Sequence, residues 1–200
     1  MIHFREIEKY VNAWIGSTGK HVEAWVGLIG EFVGVWVDWR GFMESEIVVE
    51  QVGGEAFERV GRLTYALLVE LFPEGGYACD VCVDSARALL AGGDGVWAFL
   101  ATARDGRDVG VVTLNECAAI YANGRFGEIS ELYVVPDGRS KDVGALLIEA
   151  AAAFGRERKW PFIEVGAPSA PTWQRTIDFY LKRGFEEIGP RLQITLDSAK

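Results

Sequence analysis

From residue 46 onward, apolar and polar side chains alternate in blocks that predict short strands and amphipathic helices. The apolar run Ile47-Val48-Val49 is typical of a strand. Residues 55–72 carry apolar side chains three to four positions apart, which predicts a helix with one apolar face. That face consists of Phe57, Val60, Leu63, Leu67 and Leu71. The turn sequence Pro73-Glu74-Gly75-Gly76 predicts where this helix ends.

The middle of the chain predicts a short helix followed by three strands that are joined by tight turns. Asp84 has the side chain of an N-cap for the helix, and Gly92-Gly93 is expected to end it. The three strands are expected at residues 96–103, 108–117 and 128–135. Asp105-Gly106 and Asn123-Gly124 are typical hairpin turns between antiparallel neighbours, so these strands should form a meander.

The last third of the chain alternates between helix and strand. Helices are expected at residues 143–158 and 171–183, and strands at residues 162–165 and 191–196. Gly184 follows the second of these helices, where glycine commonly ends a helix. This order of elements predicts an α/β (α+β) domain, in which a mixed sheet carries helices on both faces.

Residues 1–45 differ in composition from the rest of the chain. They hold four of the seven tryptophans, which are Trp14, Trp25, Trp36 and Trp39. Apolar positions in this segment approach helical spacing, but Gly27, Gly30 and Gly34 disfavour an isolated helix. We therefore expect a Trp-rich N-terminal extension at residues 1–45 and one domain at residues 46–200. The extension should pack on that domain or on a second subunit, so a homodimer is an open alternative.

Charge narrows the range of partners. The formal net charge of −9 disfavours nucleic acid, because binding to phosphates requires a basic face. An acidic surface attracts cationic amines instead. The most apolar N-terminal run, residues 22–39, is too short to cross a bilayer and contains Glu23, Glu31 and Asp38. The chain opens without a signal-peptide pattern, so the sequence predicts a cytoplasmic protein with no membrane partner.

The three cysteines do not form a disulfide framework. Cys79 and Cys82 form a CxxC motif, but no second pair and only two histidines are present, so we expect no metal site. A redox pair would normally open a helix that follows a strand. Half-buried structural cysteines are therefore the favoured interpretation, with the redox pair as an alternative.

The stretch from Glu131 to Ala145 is the most informative part of the sequence. A strand stops at Pro136, and a loop then leads to a helix that begins near Gly144. Backbone N–H groups at a helix N-terminus are unpaired and favour an anion. Arg139 and Lys141 add positive charge. These features indicate a phosphate site, although an ordinary turn from strand to helix would look similar.

This stretch resembles the signature of the GNAT N-acetyltransferases, in which Leu-Tyr-Val-x-Pro is followed by Arg-x-x-Gly-x-Gly/Ala. A second match, Phe179-Tyr180-Leu181-Lys182-Arg183-Gly184-Phe185, resembles the Phe-Tyr-x-x-x-Gly-Phe of that family. The resemblance covers roughly residues 46–196 and implies a mostly antiparallel central sheet with acetyl-CoA as co-substrate. It assigns donor binding to Tyr133, Val134, Val135, Arg139, Ser140, Lys141, Asp142, Val143, Gly144 and Ala145.

Asp142 departs from the family pattern, because it stands where the signature has its first glycine. Glycine permits unusual backbone angles and close approach to a phosphate, whereas aspartate adds a carboxylate near two anionic groups. This departure leaves open a GNAT-fold binding or regulatory module with a degraded coenzyme site. An acyltransferase that uses another acyl donor is a further alternative.

The resemblance also suggests which residues carry the chemistry. In members of the family, the acceptor amine attacks the thioester directly, without an acyl-enzyme intermediate. A carboxylate on the central strand can take the proton of the amine. We expect Glu131 to be this base, on the opposite face of its strand from Glu128. Tyr180 is expected to protonate the leaving thiolate. The predicted acceptor is a small-molecule amine, which the acidic composition suggests is cationic.

Overall fold

The computed structural model describes residues 47–93 and 95–193. Their five strands form one sheet in the order β1-β2-β3-β4-β5, in which β4 and β5 are parallel and the other neighbours are antiparallel. The strands are β1 (Ile47–Val52), β2 (Val96–Ala103), β3 (Asp108–Ala119), β4 (Gly124–Val134) and β5 (Ile163–Val165). The expectations for residues 1–45 lie outside the described residues.

The same part of the chain contains four α-helices and two 3₁₀ turns, of which the last helix follows β5. The helices are α1 (Phe57–Leu71), α2 (Cys79–Gly92), α3 (Val143–Glu157) and α4 (Gln174–Lys182), and the 3₁₀ turns are Gly54–Ala56 and Pro136–Gly138. No helix within the described ranges is both long enough and apolar enough to cross a membrane.

The sheet buries apolar side chains on both faces because its strands alternate. On β2, Ala98 and Leu100 pack in the cluster that includes α1, whereas Phe99 and Ala101 pack in the cluster that includes α3. Each cluster removes apolar surface from water, which favours folding by roughly 25 cal/mol per Å². The predicted mixed, mostly antiparallel sheet with helices on both faces is confirmed.

Two sequence predictions differ from the structure in their bounds. Helix α2 begins at Cys79, five positions before the expected N-cap Asp84, which lies inside the helix and pairs with Arg87. Ala78 is extended and offers no side-chain cap, so the sequence carries no capping signal at the true start. Residues 191–193 form no strand, and the rest of the expected last strand lies outside the described residues.

A β-bulge in β4 changes which side chains share a face. Thr113 lies opposite Glu131 and Leu114 lies opposite Ile129, so Ser130 is an extra residue without a partner on β3. One extra residue shifts the alternation by one position. Glu128 and Glu131 therefore lie on the same face of the sheet, and the prediction that they lie on opposite faces is wrong.

Side-chain contacts between β3 and β4 confirm that Glu128 and Glu131 share a face. Thr113 contacts Glu131, the Asn115 amide donates to the Ser130 hydroxyl at 2.5 Å, and the Cys117 thiol lies 3.4 Å from the Glu128 carboxylate. Thr113, Asn115 and Cys117 alternate along β3 and so point to one side. The bulge thus gathers Glu128, Ser130 and Glu131 along a single polar row.

Helices α1 and α2 approach each other closely at Gly61. A Cβ atom placed there would lie 2.5 Å from the Cα of Val83 and 3.0 Å from the carbonyl oxygen of Cys82. Both are backbone atoms, which cannot move aside as the tip of a side chain can. The contact therefore depends on glycine at this position, which lets α1 approach the backbone of α2 closely.

We expect Gly61→Ala to lower the free energy of unfolding by about 1–3 kcal/mol, despite the better helix propensity of alanine. Chemical denaturation measures the loss. Gly155→Ala is the matched control, because it is also a glycine inside a helix but its nearest neighbours are side-chain atoms of Ile163 and Trp160 at 3.1 and 3.2 Å. An equal loss in both variants would show that the backbone contact at Gly61 is not the cause.

Candidate functional site

The parallel pair of strands opens partway along β4. Strands β4 and β5 pair only from Gly127 opposite Ile163 to Ile129 opposite Val165. Strand β4 then continues to Val134, and no strand in the described ranges pairs with this stretch on the side that faces away from β3. The result is a gap whose wall is the free edge of residues 130–134.

Backbone groups of β4 point into this gap. The N–H of Glu131 donates to the Thr113 hydroxyl at 3.1 Å, and the N–H of Val135 donates to the carbonyl of Val109 at 3.0 Å, so both are directed toward β3. Alternation along the strand therefore directs the N–H groups of Leu132 and Val134 outward. These donors can hold a carbonyl oxygen that lies in the gap.

The loop before α3 presents a row of unpaired donors next to this edge. Among the described residues, no acceptor binds the backbone N–H groups of residues 141–145. Ser140 and Asp142 both adopt left-handed angles, with φ of 66° and 58°, which is the kind of backbone that forms anion-binding concavities. The dipole of α3 adds positive potential at the same place. The arrangement fits a phosphate group.

Gly144 has a packing role in addition to its backbone N–H. A Cβ atom at this position would lie 3.1 Å from the Phe179 ring of α4. Its neighbours Val143 and Ala145 point into the core, with exposed fractions of 1% and 5%. Only the backbone of these three residues is therefore available to a ligand.

Arg139 lies away from the helix N-terminus. Its guanidinium donates to the carbonyl of Val134 at 2.9 Å and to the Glu70 carboxylate of α1 at 2.6 Å. The guanidinium also lies over the Tyr133 ring, 5.7 Å from its centroid. The Tyr133 side chain is buried in the cluster around α1, so the contact of Tyr133 with a ligand in the gap is limited to its backbone.

Helix α4 and the residue that follows it supply cations that the sequence motifs did not predict. Arg175 donates to the Ser140 hydroxyl at 3.0 Å, and Arg183 lies 3.7 Å from the Asp142 carboxylate. The side chain of Asp142 is 86% exposed and is directed toward solvent and Arg183. Lys141 is exposed as well. These contacts could not be inferred from the sequence of the loop before α3, because Arg175 and Arg183 are distant from that loop along the chain.

Glu131 is held by Thr113 on the face shared with α1. Thr113 is buried, its hydroxyl donates to the Glu131 carboxylate, and it accepts the backbone N–H of the same residue. Burial raises the pKa of Glu131 above its ordinary value, and the hydrogen bond from Thr113 partly opposes this shift. A carboxylate with a raised pKa is a stronger base once it is ionised.

Further acidic groups extend the polar row. Glu128 lies opposite Glu164 in the parallel pair, so their side chains share a face. Arg191 forms an ion pair with Glu128, and the Tyr121 hydroxyl donates to Glu164 at 3.2 Å. Together with Glu131, these groups make a face that suits a cationic molecule.

Tyr180 lies on the other side of the sheet from Glu131. Its ring packs between Phe179 and Phe185, with centroids 5.5 and 5.3 Å away, inside the cluster around α3. Burial raises the pKa of Tyr180 to about 12, so the hydroxyl is protonated at neutral pH and is a weaker acid than an exposed tyrosine. Tyr180 and Glu131 therefore lie on opposite faces of the sheet.

Within residues 47–93 and 95–193, no three His, Cys, Asp or Glu side chains come together in a way that could hold a metal ion.

A family model supports the resemblance read from the two motifs. Residues 95–187 match the family described as "Acetyltransferase (GNAT) domain". The match includes β2 to α4 and therefore the whole gap, the loop before α3 and Tyr180. No curated protein sequence matches the chain.

Solved structures share the fold at low identity. One is a possible acetyltransferase from Clostridium difficile 630, with 15% identity, a TM-score of 0.65, and coverage of 78% of this chain and 100% of that chain. Another is an aminoglycoside acetyltransferase from an uncultured soil metagenomic sample in complex with sisomicin, with 18% identity, a TM-score of 0.65, and coverage of 78% and 99%.

A third structure is AAC(6')-Iy in complex with the bisubstrate analog CoA-S-monomethyl-acetylneamine. It has 19% identity and a TM-score of 0.60, and the match covers 78% of this chain and 100% of that chain. At these identities the likeness establishes the fold that the three proteins share with this chain.

Proposed function

Since this chain belongs to the GNAT superfamily of acetyltransferases, we propose that it transfers an acetyl group from acetyl-CoA to an amine of a small cationic molecule. The observation that carries the proposal is the row of unpaired backbone N–H groups at residues 141–145 beside the open edge of β4. A diphosphate and a thioester can be held there at the same time. Donor and acceptor then meet in the gap between β4 and β5.

The donor side uses mainly backbone groups. N–H groups at the start of α3 bind the pyrophosphate of acetyl-CoA, and Arg175 and Lys141 add positive charge at the rim. The outward N–H groups of Leu132 and Val134 polarise the carbonyl of the thioester and stabilise the oxyanion that develops as the amine attacks. In this proposal Arg139 has a structural role, because it ties the end of β4 to α1 through Glu70.

The acceptor side uses the polar row that the bulge creates. Glu131 takes a proton from the incoming ammonium, directly or through a water molecule, so that a neutral amine attacks the carbonyl. Glu128 and Glu164 attract the positive charge of the acceptor. The two aminoglycoside-enzyme neighbours, which were solved with sisomicin and with a CoA–neamine analog, make a polyamine-like acceptor a reasonable model.

Tyr180 completes the proton balance. The neutral amine attacks the carbonyl, and Glu131, which has released the first proton to solvent, takes the second proton from the nitrogen. The amide then forms and the sulfur of the donor leaves as a thiolate. The hydroxyl of Tyr180 supplies a proton to that sulfur from the opposite face, and the phenolate regains a proton from solvent. The two proton transfers therefore occur on different sides of the sheet, as the positions of Tyr180 and Glu131 require.

Asp142 supports a second candidate, a binding or regulatory module of the same fold with a weakened coenzyme site. Its carboxylate lies at the start of α3, where the donor would place anionic groups. Exposure and the nearby Arg183 reduce this repulsion, which favours the enzyme. An enzyme that uses a different acyl-CoA remains compatible with the same pyrophosphate site.

Isothermal titration tests the donor site directly. Acetyl-CoA and free CoA should both bind with a Kd in the micromolar range, about −8 kcal/mol, because they share the pyrophosphate. Incubation with acetyl-CoA and sisomicin should then release free CoA thiol, which a thiol reagent measures. Absence of binding at millimolar donor would contradict the enzyme and favour the module.

The same titration measures the effect of Asp142. We expect Asp142→Asn to tighten CoA binding about threefold at low salt, roughly 0.6 kcal/mol, and less at high salt. Asp137→Asn is the matched control, because this exposed acid precedes the same loop and pairs with Arg107 instead. An equal effect in both variants would indicate general charge rather than a local contact with the donor.

Glu131→Gln should lower kcat/KM about 100-fold and remove the acidic limb of its pH profile. Because the ionised carboxylate is the active form, the wild-type rate rises with pH through a pKa that burial has raised above the ordinary value. The variant should also be more stable at pH 7, since the wild type loses stability as pH rises toward that folded-state pKa. Glu128→Gln is the control and should keep the acidic limb of the kcat/KM profile. A wild-type profile in Glu131→Gln would exclude the assigned role.

Tyr180→Phe should reduce kcat about 10- to 100-fold and leave the Kd of acetyl-CoA nearly unchanged, because the hydroxyl acts only as the thiolate forms. Phenylalanine preserves the ring contacts with Phe179 and Phe185, so the fold should persist. Single-turnover kinetics with calorimetry separate these two quantities. An unchanged kcat would remove Tyr180 from the mechanism.

A further inference from the structure

Cys79 and Cys82 occupy the first turn of α2. Both thiols are free and half-buried, and the proposed acetyl transfer uses neither of them. Cys79 is the first residue of the helix, where the first cysteine of a redox CxxC motif normally lies, although α2 follows α1 and not a strand. The sequence alone had placed the start of this helix after the motif.

The geometry of this turn suits a bond between the two sulfurs. Residues three positions apart on a helix have Cβ atoms about 5–6 Å apart, and a disulfide requires about 3.5–4.5 Å. The first turn can make this small adjustment because its N–H groups have few intrahelical partners. The one bond that Cys82 donates there, to the carbonyl of Ala78, is long at 3.3 Å.

The surroundings distinguish the two thiols. Cys79 is the first residue of α2, whereas Cys82 lies one turn further into the helix. Arg62 of α1 lies nearby, and its pKa is raised mainly by its hydrogen bond to Glu58 and further by the charge of Cys79. Burial raises the pKa of Cys82, and the charges of Cys79 and Glu131 raise it further. Cys79 is therefore the better nucleophile.

We infer that Cys79 and Cys82 form a reversible dithiol–disulfide pair that exchanges with low-molecular-weight disulfides such as oxidised glutathione. The thiolate of Cys79 attacks one sulfur of oxidised glutathione, forms a mixed disulfide and releases one glutathione thiolate. Cys82 then loses its proton to solvent, attacks the sulfur of Cys79 and releases the second glutathione. Two protein thiols are oxidised as one glutathione disulfide is reduced to two thiols.

The pair adjoins the acceptor face. Charge on Glu131 contributes to the raised pKa of Cys82, which places this thiol within electrostatic reach of the proposed base. The close approach at Gly61 brings α1 next to the carbonyl oxygen of Cys82. A change in the oxidation state of the pair therefore occurs at the border of the polar row formed by Glu128, Ser130 and Glu131.

Peptide mapping tests the inference without knowledge of the acceptor. The intact protein is incubated with oxidised glutathione, the remaining thiols are alkylated, and the protein is digested with trypsin. Residues 63–87 contain Cys79 and Cys82 and no internal Lys or Arg, whereas Cys117 falls in the peptide of residues 108–125. We expect the first peptide to lose two hydrogens in mass and to regain them after reduction with dithiothreitol.

Single cysteine variants distinguish the attacking role of Cys79 from the resolving role of Cys82. Cys82→Ser should retain one glutathione on Cys79, because no second thiol resolves the mixed disulfide, and Cys79→Ser should react at least tenfold more slowly. Cys117→Ser should behave as wild type. Glutathione adducts without loss of two hydrogens in the wild type, bonds between chains, or no reaction would overturn the inference. Equal reaction rates of the two single variants would overturn the assignment of Cys79 as the nucleophile.

Discussion

Beyond Ile129, no strand among residues 47–93 and 95–193 lies beside the outer side of β4, so the backbone donors on that edge can bind water or a ligand. An unpaired buried backbone group costs about as much as a lost hydrogen bond, so this edge is either hydrated or occupied. The short length of β5, which ends at Val165, creates the gap. The proposed roles of the start of α3, of Glu131 and of Tyr180 all depend on this opening, because donor and acceptor would meet there.

The bulge at Ser130 is the second constraint. Without it, Glu131 and Tyr133 would lie on the face of α3, where the cluster around Leu147 excludes charge. With it, Tyr133 enters the cluster around α1, and Glu131 joins Glu128 on the polar row. One inserted residue thus moves a carboxylate from a place where it would be costly to a place where Thr113 can bind it.

Much of the fold could be predicted from the sequence because its signals are local. The apolar stripe of α1, the turn at Asp105-Gly106 and the alternation of β2 each follow from neighbouring residues. The bulge could not be predicted, because it depends on the register between two strands. The same is true of Arg139, whose partner Glu70 lies on α1. At the candidate site, the loop at residues 139–145 was predictable from its motif, whereas the cations of α4 depend on tertiary packing.

The contact between Gly144 and the Phe179 ring affects how the signature motif should be read across related chains. A side chain at this position would press on the Phe179 ring of α4, so packing of the core favours a small residue here even where no coenzyme binds. The second half of the motif, Phe179-Tyr180, is held by the same contact from the opposite side. The two halves of the signature should therefore persist or disappear together during evolution, and a lineage could lose catalysis while it retains both.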